Sequence, residues 1–200
     1  MQLDLFASRP HAKPGGLHGP REKVTRHTPV HVTLRVAKLS SSLRGRDLYR
    51  AIRTATSTVW RTQPMRLVHA SVQSNHIHLL VEATDKLELA KGMQGFQISA
   101  AKHINRTLGR HGRVFPDRYH VHILRSLREA KNATAYVLTN WRKHGGGTAA
   151  AFDPCSTAHA FPAWREASEL PADDPPLRLS TRPPQSWLLR NVTDVSAFGA

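Results

Sequence analysis

Two alternating runs, MRLVHASVQ (Met65 to Gln73) and HIHLLVEA (His76 to Ala83), are separated only by Ser74 and Asn75. A connection this short joins its strands as a β-hairpin. The hairpin needs partners for its apolar face, and the flanking sequence supplies them. Upstream, PVHVTLRVA alternates, with Val30, Val32, Leu34 and Val36 on one face and His31, Thr33 and Arg35 on the other, as in a half-buried strand. Between it and the hairpin, after a Ser-rich start, Leu48, Ile52, Ala55 and Val59 recur at helical spacing. Downstream, Asp85 and Glu88 form a capping pair. A long stripe of Leu89, Met93, Phe96, Ala100, Ile104 and Leu108 then runs to a stop at Gly109. The loop GRHGRVFPDR leads to a short fourth strand, YHVHIL. Ser126 and Glu129 form a capping box for a last helix that is expected to run to about His144, before GGG.

The predicted order is β-α-β-β-α-β-α. Its first six elements match the α+β, ferredoxin-like split βαβ arrangement: an antiparallel four-stranded sheet, here with an added C-terminal helix. Residues 1–29 hold Pro, Gly, His, Arg and Lys without apolar period and are expected to be a flexible basic arm. Residues 30–145 form the domain. Residues 146–200 are an irregular tail rich in Pro and Ala, whose one apolar patch, PQSWLLR, is expected to dock back. No internal repeat is evident.

The 200 residues carry 29 Lys+Arg against 14 Asp+Glu, a formal net charge of +15. A compact chain this basic is expected to meet a polyanion, most commonly nucleic acid. No apolar run is long enough to span a bilayer, and the N-terminus lacks an export pattern. The single cysteine, Cys155, excludes an intramolecular disulfide framework and a multi-cysteine zinc site. A cytoplasmic, nucleoid-associated protein is expected.

The third strand places His76 and His78 on one face, with Ile77, Leu79 and Val81 on the other. A packed core gains nothing from adjacent imidazoles, whereas a divalent metal does, although an isolated His-x-His pair is often incidental. Two imidazoles make an incomplete shell. Without further cysteines, oxygen or nitrogen donors must finish it, which favours Mg²⁺ or Mn²⁺ bound together with a phosphate oxygen, zinc being the alternative. The first and second strands alternate in the same way (His31, Thr33, Arg35; His69, Ser71, Gln73), so one side of the sheet reads as polar and the other as the helix-bearing side.

In the last helix, Ala130, Thr134, Val137, Leu138 and Trp141 make an apolar stripe, and Tyr136 lies about 140° from its centre at 100° per residue. Asn140 follows four residues later on the polar side, with Glu129, Asn132 and Lys143. A tyrosine so placed is either a surface residue or a nucleophile, since a phenol attacks well when a metal polarises its target.

The segments NHIHLLVE, GFQISAAKHINRTLGRHGRVFPDRYH and AYVLTNWRKHG, in this order, resemble the HUH nucleases, and within them the single-tyrosine transposases. The resemblance is nearest to the REP-associated tyrosine transposases and covers roughly residues 28–145. It implies that His76 and His78 are metal ligands, that Asn140 completes the site, and that Tyr136 attacks a phosphate of single-stranded or hairpin DNA. The implied product is a 5′-phosphotyrosyl enzyme with a free 3′-hydroxyl. Lys102, Arg106, Arg110, Arg113 and Arg118, with Arg142 and Lys143 beyond the tyrosine, become candidate phosphate contacts, though each also fits a solvated basic face. Phe115 and Tyr119 could stack bases or serve the core. Two departures stand out: Asn140 is followed by Trp141 where relatives commonly have proline, and the tail lacks their Trp-rich basic ending. The resemblance implies a monomer, with a homodimer that swaps the tyrosine helix as the alternative.

Three other functions compete. A domesticated palindrome-binding factor or repressor would keep the fold and charge but has no use for the two histidines, Tyr136 and Asn140 together. A replication-initiation nuclease would often carry two tyrosines in its catalytic helix. An RNA-binding sheet would show an aromatic pair on its central strands, and none is present.

Overall fold

The computed structural model describes residues 23–141, 153–158, 161 and 178–193. The chain runs β1 (Val30–Arg35), α1 (Arg46–Thr62), β2 (Arg66–Val72), β3 (His76–Glu82), α2 (Lys86–Thr107), β4 (His120–Ile123), α3 (Leu127–Thr139) and a short α4 (Trp187–Arg190). The strands form one antiparallel sheet in the order β2-β3-β1-β4, the split βαβ arrangement. It is an α+β fold with α3 added.

One face of the sheet carries α1 and α2. Val32, Leu34, Ile77, Leu79 and Val81 meet Leu48, Ile52, Ala55 and Val59 of α1 and Leu89, Met93, Phe96, Ala100 and Ile104 of α2 in the main core. Both helical stripes read from the periodicity are therefore buried. The Ser-rich segment before α1 is a loop, and the helix starts at Arg46 after an extended Gly45.

The helix boundaries follow their chemistry. Asp85 caps α2 by accepting the Glu88 N–H at 2.8 Å. Past its other end Gly109 adopts φ 59°, a conformation that favours glycine. There the Arg110 N–H donates to Asn105 O at 2.9 Å and the Gly109 N–H to Arg106 O at 3.3 Å, a Schellman ending. Ser126 caps α3 through the Glu129 N–H at 3.1 Å, while the Glu129 carboxylate accepts from the Arg125 N–H at 2.7 Å.

The other face of the sheet is covered too, contrary to the expectation of an open polar side. There α3, α4 and the residues just after α4 pack Ala130, Ala133, Val137, Leu138, Leu188, Leu189 and Val192 around Val68, Leu80 and Leu124 in a second core. A bulge between Leu67 and His69 makes this possible. The extra residue puts both Val68 and His69 on the second face, so β2 contributes an apolar side chain where strict alternation would give none.

Residues 23–29, the end of the expected arm, pack on the domain. Val24 lies in the main core, and the Thr25 N–H donates to the Thr28 hydroxyl at 2.9 Å. Parts of the tail are ordered as well. Cys155 to Thr157 run along β2, with the Val72 N–H donating to Cys155 O at 2.8 Å and the Thr157 N–H to Ala70 O at 2.9 Å. Asp153 is held by Arg44 in a two-point ion pair. The PQSWLLR patch docks: Glu82 accepts from the Gln185 N–H at 2.8 Å, the Ser186 N–H at 2.8 Å and the Ser186 hydroxyl at 2.7 Å. Among the described residues no helix is long and apolar enough to cross a membrane.

Candidate active site

The site lies on the second face of the sheet, beside the second core. Register decides which side chains meet. Thr33 pairs with His78, His31 with Leu80 and Arg35 with His76 across β1 and β3. Paired residues share a face, so the β1 polar row lies against the histidines of β3. The diagonal neighbours His31 and His78 touch: Nε2 of His31 is 3.2 Å from Nδ1 of His78, with ring centroids 5.2 Å apart. The Thr33 hydroxyl is also 3.2 Å from that same Nδ1.

The rings of His76 and His78 are 4.7 Å apart and nearly perpendicular. His76 Nδ1 lies 2.8 Å from the Asn75 amide oxygen. That oxygen only accepts, so Nδ1 carries the hydrogen; in the neutral ring the lone pair is then on Nε2, the form a ligand needs. His31 is 3 % exposed, and its pKa is pushed down to about 3, first by burial and then by the neighbouring His122 and His120.

Tyr136 reaches this group from α3. Its ring stands edge-on to His78 at 5.1 Å and to His31 at 5.9 Å between centroids. The helical-wheel reading placed Tyr136 away from the apolar stripe, and the structure gives that side a destination: it faces the histidine row. Asn140 follows one turn later, in the turn that ends α3. The sequence assigns it to a polar face, yet it is 1 % exposed. Its amide oxygen and nitrogen are both buried without a hydrogen-bond partner among the described residues. Leaving both unsatisfied costs on the order of 1–3 kcal/mol each, so the residue is not explained by packing.

The structure therefore brings His76, His78 and Tyr136 together. It does not gather the candidate phosphate contacts around them. Lys102 and Arg106 are exposed on α2, in the helix layer on the opposite face of the sheet. Arg110, Arg113 and Arg118 lie in the loop to β4, where Arg110 donates to Arg113 O and Arg113 to Pro116 O. Arg142 and Lys143 lie outside the described residues. Phe115 and Tyr119 are partly buried against the main core.

Two features escaped the sequence reading. One is the contact of His31 and Thr33 with His78, which needs the strand register. The other is a second histidine pair, His120 and His122, with the same one-residue gap on β4. They pair with Thr33 and His31 and are exposed. Their spacing was visible in YHVHIL.

Among the described residues no group of three His, Cys, Asp or Glu side chains is disposed to hold a metal ion. The candidate donors are two imidazoles and one buried amide. Imidazole nitrogens suit zinc and similar cations, whereas an amide oxygen with phosphate and water oxygens suits Mg²⁺ or Mn²⁺.

No curated protein matches the chain. Among solved structures, it is similar to a REP-associated tyrosine transposase bound to a REP hairpin, with 18 % identity and a TM-score of 0.57 over 72 % of this chain and 85 % of that one. Residues 25–140, more than half of the 200, match the family described as "Transposase IS200 like". The chain belongs to the IS200-like transposases.

Proposed function

We propose that the chain is a metal-dependent single-strand DNA endonuclease and strand transferase that acts on hairpin, palindromic-repeat DNA through a covalent 5′-phosphotyrosine on Tyr136. The observation that carries this reading is the Tyr136 ring set edge-on to His78, itself against His76. His76, His78 and the Asn140 amide oxygen would hold Mg²⁺ or Mn²⁺. Once bound, the cation withdraws charge from the scissile phosphate.

In this reading the protein's own side chains act on the strand directly. Tyr136 presents its oxygen from a helix fixed by the second core, so the nucleophile is oriented before substrate arrives. That oxygen forms a bond to phosphorus as the bond from phosphorus to the 3′ oxygen breaks. The phenol loses one proton and the leaving 3′ oxygen gains one. The phosphodiester energy is kept in the tyrosyl ester, so attack by another 3′-hydroxyl rejoins strands without ATP. The histidines and Tyr136 of a single chain can meet, which is compatible with a site acting in cis; a cytoplasmic monomer, with a homodimer as the alternative, completes the proposal.

The test is an incubation with end-labelled hairpins, built from palindromes flanking the protein's own gene, in Mg²⁺ or Mn²⁺. A denaturing gel should show label migrating with protein, and Tyr136→Phe should abolish it. Tight hairpin binding with no adduct in either metal would support a palindrome-binding factor instead.

A further inference from the structure

We infer that His31 is a positioning residue: its Nε2 accepts the Nδ1–H of His78 and holds that imidazole in the tautomer whose lone pair is on Nε2. The inference rests on the metal-ligand reading of His78.

The geometry on Nδ1 carries it. Two groups from β1 converge on this one atom, His31 Nε2 and the Thr33 hydroxyl, each at 3.2 Å. A neutral imidazole has one N–H, and which nitrogen carries it is set by the partner of the other. If the hydrogen is on His78 Nδ1, it is shared between His31 and Thr33, and Nε2 is left able to ligate. If His31 instead donates into His78 Nδ1, the hydrogen moves to His78 Nε2, and that nitrogen cannot bind a cation. The tautomer of His31 thus decides whether His78 is competent.

Position explains why His31 rather than Thr33 is the decisive group. A threonine hydroxyl rotates and can donate or accept, so it tolerates either form of His78. The His31 ring is locked in place. It is buried, stacked at a tilt on His78, and meets the edge of Tyr136 at 5.9 Å. One side chain therefore braces both the proposed ligand and the proposed nucleophile. Such outer partners of a ligating histidine commonly matter for metal affinity by about 10- to 100-fold.

The test uses the full chain without metal, then with Mn²⁺. Long-range ¹H–¹⁵N spectra of histidine-labelled protein read the tautomer directly, and electron paramagnetic resonance reads Mn²⁺ binding. His78 should carry its hydrogen on Nδ1. His31→Phe should weaken Mn²⁺ binding by about 10- to 100-fold, and His31→Gln, whose amide oxygen still accepts, should recover most of that loss. A hydrogen on His78 Nε2, or Mn²⁺ affinity equal in His31→Phe and the unaltered chain, overturns the inference. If the phenylalanine variant does not fold, the tautomer and His31→Gln decide. An unaltered chain that binds no Mn²⁺ overturns the metal reading of the site, and this inference with it.

Discussion

The ring of Tyr136 stands edge-on to that of His78, with 5.1 Å between centroids and 83° between planes. The contact joins a helix to a strand 58 residues earlier in sequence, and it is made only because α3 lies across the second face of the sheet.

Tyr136→Phe keeps the ring and removes the oxygen. It should abolish the covalent DNA adduct while leaving hairpin affinity within about twofold, because an uncharged hydroxyl contributes little to phosphate-dominated binding. The check is a denaturing gel for the adduct beside a native gel for binding. Adduct formation by the variant would remove Tyr136 from the chemistry.

Asn140→Ala separates a functional amide from a structural one. The side chain has no hydrogen bond to lose among the described residues, so the variant should lose less than about 1.5 kcal/mol, the worth of one net hydrogen bond. Its requirement for Mn²⁺ should nevertheless rise by about 10-fold or more. Urea unfolding and a Mn²⁺ titration of cleavage measure the two. Large destabilisation with an unchanged metal requirement would make Asn140 a packing residue.

Gly92→Ala sets two effects against each other. In an open helix position the change stabilises by roughly 0.5–1 kcal/mol. Here the new Cβ would lie 2.6 Å from both Cβ and Sδ of buried Met65. Overpacking of this kind costs about 1–3 kcal/mol, so the net should be destabilising. Denaturant midpoints decide it, and a more stable variant would mean that Met65 moves aside freely.

His69 gives the pH dependence of stability. Its pKa is pushed down to about 4 by burial, against about 6.5 when unfolded. Between those values the unfolded chain binds more protons than the folded one. Stability is therefore full above pH 6.5 and declines as pH falls toward 4. His31 acts in the same direction. Unfolding free energies at pH 7.5, 6 and 5 should fall in that order, with a shallower slope for His69→Leu.

The sequence carried the local rules well. Caps at Asp85 and Ser126, the stop at Gly109 and the stripe from Leu89 to Ile104 are all decided by neighbours within a turn or two, and the structure has each. The histidine pair was legible for the same reason, because alternation fixes its face. What periodicity does not reveal is which polar faces meet one another. Asn140 and Tyr136 fall on the polar side of their helix, and periodicity alone does not show that Tyr136 meets His31 and His78 or that Asn140 is buried. Val68 was hidden by the bulge at Leu67/His69. The docking of PQSWLLR is expected from its apolar residues, but its partner Glu82, more than a hundred residues away, is beyond any local pattern. From the sequence α3 is expected to run to about His144; its α-helix closes at Thr139, and residues 142–144 lie outside the described residues.

The contact between Glu82 and Ser186 also has a temporal side. A chain is made from its N-terminus, so the sheet, α1 and α2 can assemble while the residues that close the second core are still unmade. Leu188, Leu189 and Val192 lie far downstream of α3, and they cover the helix that carries Tyr136. The final packing of that helix thus waits for a segment made well after the sheet, α1 and α2.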